Sequence, residues 1–303
     1  MNHFVNLIDQ PKSRLVQLLA DATTLKRDRQ QRVPSHVLAG QVVGLVFEKP
    51  SLRTRVSFEC GVAQLGGTSL FLPGNEVGLG WRETLADFAR TVSGYLDAIV
   101  LRVFKQETVD VLAKYSTIPV INALSDQEHP CQALADLLTI QEVCGGIAGK
   151  VVVFVGDGNN VSKSLAIGCQ RLGAQFVLAC PKGYEFDKPF LQEFAAKVGP
   201  IPQTINDAKA AVANADVVYT DVWTSMGQEA EREERLNHFA QFQLNAKLMK
   251  HAPQHCKVLH CLPAHRGEEI TDDVVDGPQS VVFQQAENRL HAQKAILAWL
   301  LGR

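Results

Sequence analysis

The stretch QVVGLVFEKPSLRTRVSFECG, residues 41–61, decides how the chain is built. It opens on an apolar, β-branched run through Phe47, the pattern of a strand buried on both faces in a parallel sheet. Leu52, Val56, Cys60 and Ala63 then recur on one helical stripe that stops at Gly66 and Gly67. The order is strand, turn, helix. Its oddity is electrostatic, because Arg53 and Arg55 fall in a first helical turn whose unpaired N–H groups already carry partial positive charge. A bound phosphate, gripped by those N–H groups, by the hydroxyls of Ser51 and Thr54 and by Arg53, would resolve the conflict. The plainer reading is that Ser51 is only a helix cap and the arginines are solvated.

The same alternation runs outward in both directions. An amphipathic helix over 5–28, broken by Pro11, comes first. After the opening stretch come a strand SLFL, a polar loop over 73–82, a helix over 83–95, a strand AIVLRV over 98–103, a helix over 107–115 and a strand IPVINAL. HPCQALADLLTIQEV reads as a long helix beginning at Pro130, since proline suits a first helical position. Beyond CGGIAGK the pattern restarts: VVVFVG, a helix near 161–172, QFVLACP, a helix over 187–198, DVVYTDV, a polar helix near 228–236, KVLHCLP, SVVF and a helix from about 285 to 301. Strands alternating with helices predict an α/β protein of two domains, each a parallel sheet flanked by helices. The glycine-rich break at 145–149 sets the domains at 1–145 and 146–284, with the long helix bridging them.

With 303 residues, 46% hydrophobic, the chain has material for two such cores. A net charge of -2 argues against a general affinity for nucleic acid or anionic membranes. No apolar run reaches 18 residues, the N-terminus lacks a signal-peptide layout, and seven scattered cysteines suit reduced thiols, so a cytoplasmic location is expected.

In open parallel sheets ligands bind beyond the carboxyl ends of the strands. Polar residues that follow apparent strands are therefore the candidates: Ser51, Arg53 and Thr54; Arg102; His129 and Gln132; Asn159 and Asn160; Asp221 and Ser225; Cys261; and Arg289, again in a first helical turn. Each also has a bland reading, such as an ion pair for Arg102 or a helix cap for His129. VGDGNNVS contains Gly156 and Gly158, but Val161 occupies the third glycine position of a dinucleotide fingerprint, and the next strand ends without an acid for a ribose. Asp221 suits an ammonium group and Ser225 a carboxylate, the handles of an amino acid. His255, Cys256, His260 and Cys261 tempt a zinc assignment, but neighbours on a strand point to opposite faces, so no metal is expected.

Five segments, FEKPSLRTRVSFE, HPCQALADLLT, DVWTSMGQE, HCLPAHRGEE and FQQAENR, resemble in order the motifs of ornithine carbamoyltransferases and cover nearly the whole chain. The resemblance implies a carbamoyl-phosphate domain over 1–145, completed by a returning C-terminal helix (285–303), an ornithine domain, and a homotrimer. It implies that Ser51, Leu52, Arg53, Thr54, Arg102, His129, Gln132, Cys261, Leu262 and Arg289 hold carbamoyl phosphate, while Asn160, Asp221, Ser225 and Met226 hold ornithine. Cys261, Arg102 and His129 would be catalytic, with Cys261 as proton acceptor and no cofactor. The products would be citrulline and phosphate, as in arginine biosynthesis. One departure is Leu52, where the family's commonest motif has threonine; a backbone N–H serves there equally. An aspartate carbamoyltransferase is disfavoured because PGNEVGLGWRE lacks that relative's loop lysine. Carbamoyltransferases acting on putrescine or N-acetylornithine stay open as readings, as does an inactive binding protein of the same fold. SMG and HCLPAHRG favour ornithine.

Overall fold

A computed structural model describes residues 2–224 and 229–302. By its internal contacts the chain forms two compact units, Met1–Ala135 with Asn288–Arg303, and Asp136–Glu287. Each is built on one parallel sheet flanked by helices.

The first unit carries β1 (Val42–Phe47), β2 (Thr68–Pro73), β3 (Ala98–Arg102) and β4 (Val120–Leu124), in the order β2-β1-β3-β4. β1 and β3 are buried almost throughout, which is why both are unbroken apolar runs without polar alternation. Helix α1 (Lys12–Gln30) starts directly after Pro11, and α2 (Leu52–Gln64) follows β1. Strand order reverses between β1 and β3, so the connections leaving these two neighbours diverge and open a crevice at their carboxyl ends. Phe47 is in register with Arg102 there.

The second unit carries β5 (Val151–Val155), β6 (Gln175–Ala179), β7 (Gln203–Ile205), β8 (Val217–Thr220) and β9 (Lys257–His260), ordered β7-β6-β5-β8-β9. Here the reversal falls between β5 and β8. Its core joins Val153, Val155 and Val218 from the sheet to Phe239, Phe242 and Val274 from the helices. The long helix α3 (Pro130–Cys144) begins at the proline, as its sequence predicts, and the division between the units falls within it. Helix α4 (Asn160–Leu172) follows β5, and its start is capped by Asn159, whose side-chain oxygen accepts from Val161 N and Ser162 N.

Some local expectations are corrected. The loop expected over 73–82 contains a helical turn, Gly74–Val77, entered by close packing: a Cβ on Gly74 would sit 2.7 Å from Glu48 Cα. The polar helix near 228–236 is a 3-10 turn, Glu229–Glu231, leading into α5 (Arg232–Phe239). SVVF is no strand, because Ser280 makes only an isolated bridge to Val258, Val281 N donates to Val258 O, and Val282 and Phe283 already belong to α6 (Val282–Leu301).

Gly158 also acquires a specific reason. A Cβ there would lie 2.7 Å from Phe186 N and 2.8 Å from Glu185 O, both backbone atoms, while its own N–H donates to Tyr184 O at 2.8 Å. The second glycine of G-x-G thus lets two loops touch. Gly158→Ala must part them, and we expect a loss of about 1–3 kcal/mol in unfolding free energy, the usual range for overpacking, read from the urea midpoint.

Candidate active site

In the first unit the side chains converge on the start of α2. Ser51 caps it, Thr54 N donating to Ser51 Oγ at 3.3 Å and Ser51 Oγ to Thr54 Oγ1 at 3.0 Å. Arg289, from the C-terminal helix, donates Nη2–H to the same Thr54 Oγ1 at 2.7 Å. So Ser51 is a cap and also one wall of a cradle. Arg53 is half-buried and makes no hydrogen bond or ion pair among the described residues, whereas Arg55 donates to Glu59 at 2.9 Å and lies over the Phe71 ring. Leu52 is 75% exposed, so its side chain is packed against nothing that would hold it away from a ligand.

Arg102, His129, Gln132 and Arg289 are all buried. The His129 carbonyl accepts from Gln132 N and Ala133 N and so starts α3. Its imidazole is held well below the ordinary histidine pKa, by burial first and then by the Arg289 and Arg102 charges. His129 is therefore a neutral ring among cations. Lys49 is also depressed, by burial and then by Arg102. Strongly positive, partly dry, and set at a helix start, the cradle is suited to a phosphate-bearing anion.

In the second unit Asp221 follows β8 and is buried. Its Oδ1 accepts from Val222 N at 2.8 Å and from the Cys261 thiol at 2.9 Å, and its Oδ2 from Asn159 Nδ2 at 3.2 Å. Burial, then the Asp221 carboxylate, push the Cys261 thiol well above its usual pKa. The pair is thus a carboxylate acceptor and a protonated thiol donor. Asn160 opens α4 beside Asn159. Ser225 and Met226 lie outside the described residues.

Comparison with known proteins now adds to this geometry. Residues 2–142 match the model for the carbamoyl-P binding domain of the aspartate/ornithine carbamoyltransferases, and residues 148–300 match that for their Asp/Orn binding domain. The chain belongs to the aspartate/ornithine carbamoyltransferase family. An ornithine carbamoyltransferase of Thermococcus kodakarensis is 51% identical over 299 residues, 98% of this chain and 95% of that protein. One from Bacillus subtilis is 51% identical over 300 residues, 98% and 93%. The solved structure of the Pyrococcus furiosus ornithine carbamoyltransferase superposes with a TM-score of 0.95 at 50% identity, covering 99% of this chain and 97% of that one.

Within this family member, the expected residues fall into two groups, each inside one unit. Ser51, Leu52, Arg53, Thr54, Arg102, His129, Gln132 and Arg289 belong to the first unit, and Asn160, Asp221, Cys261 and Leu262 to the second. The strand-alternation argument against a metal fails for His260 and Cys261. β9 ends at His260, the chain turns, and ligand atoms of Asp221, His260 and Cys261 lie within 4.8 Å of one another. Both His260 nitrogens are nonetheless committed, Nδ1 to Leu262 N and Nε2 to Glu269.

Several supporting residues of this carbamoyltransferase-family fold are not marked in the sequence. Buried Glu128 accepts from Leu7 N at 2.7 Å and so ties the N-terminal segment to the turn before His129. Arg235 of α5 donates to Asp157 Oδ2 at 2.7 Å, to the Trp223 carbonyl at 2.9 Å and to Glu231 at 3.0 Å. It joins the loops after β5 and β8, the two that carry Asn159 and Asp221. The acidic run EREER hides it, and the one signal is its spacing of four from buried Phe239 on a helix.

Burial raises the Asp157 pKa while Arg235 lowers it. Arg235→Ala leaves that carboxylate without its ion-pair partner, and we expect a loss of about 3–5 kcal/mol in denaturant unfolding. Arg235→Ala, Asp157→Ala together should cost less than the single change.

Proposed function

We propose that the protein transfers the carbamoyl group of carbamoyl phosphate to the δ-amine of L-ornithine, giving L-citrulline and phosphate, in the direction of arginine biosynthesis. The observation that carries this is the cradle at the start of α2, where Thr54 is bonded by Ser51 and Arg289 beside a neutral His129. Its charge and donors suit an acyl phosphate, and the matched carbamoyl-P domain covers all of it except Arg289. The biosynthetic direction is supported by a Pyrococcus furiosus relative, 54% identical over 272 residues, called an anabolic ornithine carbamoyltransferase.

In this reading Ser51, Leu52, Arg53 and Thr54 hold the phosphate, Leu52 through its N–H, and Arg289 completes the site. Arg102, His129 and Gln132 surround the carbamoyl group. Neutral His129 donates a hydrogen bond to the carbamoyl oxygen as charge develops there, and the arginines stabilise the departing phosphate. Asn160, Asp221, Ser225 and Met226 take ornithine, with Cys261 and Leu262 at the reaction centre. The amine must shed a proton before it attacks, because with a pKa of about 10.4 only about one in a thousand is neutral at pH 7.4. Cys261 in the ligand-free pair is a donor, so the Asp221 carboxylate is the group with a lone pair to offer the ammonium. The Cys261 role as proton acceptor then requires the thiol first to lose its own proton, which an ornithine ammonium standing at Asp221 in place of the thiol would favour.

A homotrimer in the cytoplasm fits the family resemblance. Exposed Leu70, Trp81 and Phe104 are apolar surface that such an assembly could cover, and the seven cysteines are unpaired. No helix of the described residues is long and apolar enough to cross a membrane.

The deciding assay is citrulline formation from carbamoyl phosphate with ornithine, against aspartate, putrescine and N-acetylornithine; faster turnover of any control would replace the assignment. Arg53→Ala should lower kcat/KM at least about 100-fold, the cost of one transition-state donor, with an unchanged melting temperature. Wild-type rates in that variant would remove Arg53 from the site.

The His129 pKa gives a separate test. A histidine depressed in the folded state stays neutral while the unfolded chain takes up a proton below about pH 6.5. Stability therefore falls on acidification, by up to about 1.4 kcal/mol per pH unit for this group. His129→Asn should flatten the decline between about pH 6.5 and 5, measured by urea unfolding at each pH.

A further inference from the structure

Two adjacent asparagines stand at the start of α4, and the proposed reaction uses only one of them. Asn160 is given to ornithine, while Asn159 has no part in the chemistry. Its amide nevertheless has a partner at each end. Oδ1 accepts from Val161 N at 2.9 Å and from Ser162 N at 3.0 Å, which caps the helix. Nδ2 donates to Asp221 Oδ2 at 3.2 Å, across 62 positions of chain. An oxygen that accepts two main-chain N–H groups leaves the NH2 end to face the carboxylate, and an ionised carboxylate only accepts. Both contacts therefore require the same orientation of the amide.

The backbone that carries Asn159 is itself fixed. The Ser162 hydroxyl is shared between the carbonyls of Asp157 at 2.9 Å and Asn159 at 3.0 Å. Gly158 N donates to Tyr184 O at 2.8 Å, and Arg235 holds the Asp157 carboxylate at 2.7 Å. The receiving group is less constrained. Asp221 Oδ1 takes both the Val222 N–H and the Cys261 thiol, so those two bonds locate one oxygen. Among the described residues, Asn159 is the one hydrogen-bond donor on Oδ2. With it the plane of the carboxylate is set. Without it the group can turn about its Cβ–Cγ bond, a broad torsion in aspartate.

Helix caps of this kind are made by serine, threonine, aspartate and asparagine. Serine and threonine have a single side-chain polar atom and use it on the cap, leaving nothing at the Nδ2 position. Aspartate would set a second carboxylate oxygen against Oδ2. Asparagine alone caps the helix and donates to Asp221 at once.

We propose that Asn159 is a positioning residue: by capping α4 it aims its amide at Asp221, and so sets the plane of the carboxylate that receives the amino-acid substrate. The inference rests on the assignment of Asp221 to ornithine, but part of its test needs no turnover.

Two substitutions keep the cap and remove the donor. Asn159→Ser and Asn159→Asp should melt close to wild type, whereas Asn159→Ala, which also loses the cap, should melt lower. Asn159→Ser should raise KM for ornithine about 10- to 100-fold, the scale of one hydrogen bond to a charged group, with KM for carbamoyl phosphate unchanged. Asn159→Asp should raise it further, because two carboxylates then face each other. In a crystal structure of substrate-free Asn159→Ser, the Asp221 carboxylate should be turned about Cβ–Cγ, with Oδ2 no longer facing the start of α4.

A cap with no further duty gives the opposite ranking, with losses confined to Asn159→Ala. A wild-type KM for ornithine in Asn159→Ser, or an Asp221 carboxylate in its wild-type plane there, would overturn the proposal. If Asn159→Ser does not fold, Asn159→Thr, which caps in the same way, takes its place in both measurements. Failure of the wild-type protein to form citrulline would instead overturn the functional assignment, and the crystal structure would then decide whether Asn159 positions Asp221.

Discussion

Positive charge kept largely out of water around the start of α2 is the constraint on which the first unit depends. Arg102 and Arg289 are buried near one imidazole, and the helix start adds its own partial charge. Removing cations from water is costly, so a third charge in that space would be prohibitive. The structure meets this by keeping His129 neutral. The neutral ring can still donate a hydrogen bond while adding no charge of its own. Electrostatic preorganisation of this sort is present before the ligand arrives, so little reorganisation is needed at the moment of reaction.

The second unit shows the opposite polarity at the equivalent place. There the groups beyond the strand reversal are the carboxylates of Asp157 and Asp221. One is neutralised by Arg235, and the other is engaged by an amide, a main-chain N–H and a thiol. None of these three partners of Asp221 is a cation, which suits a substrate that supplies a cation itself. Each sheet reverses its strand order at one point, and the groups gathered there differ in charge.

How much of this is legible in the sequence depends on range. Asp221 and Cys261 can be found because each follows directly on a strand, Arg102 because it ends one, and Ser51 because it lies in the short turn between β1 and α2, relations that are local in the chain. Arg235 cannot, since its partner Asp157 is 78 positions away and nothing in an acidic helix marks which arginine turns inward. Glu269 lies within HCLPAHRGEE, yet its bond to His260 depends on how the intervening loop closes, which strand and helix periodicities do not describe. Strand alternation holds only to the end of β9, and extending it one residue further is what wrongly separates His260 from Cys261. The three-residue strand β7 leaves no mark because QTI has neither length nor a buried pattern. Gly158 stands out in the sequence for the wrong partner: the glycine is needed, but for a protein backbone and not for a pyrophosphate.

The discontinuity of the first unit has a consequence for the order of folding. The last helix seals that unit through Arg289 on Thr54, Lys26 on Asn288 and the edge contact of Phe4 with Trp299. These partners are separated in the chain by the whole of the second unit. The second unit, contiguous over Asp136–Glu287, is therefore fully synthesised before the first has its closing piece. Until the chain beyond Glu287 has been made, Thr54 lacks its Arg289 partner. Of the two units, the one that begins first is completed second.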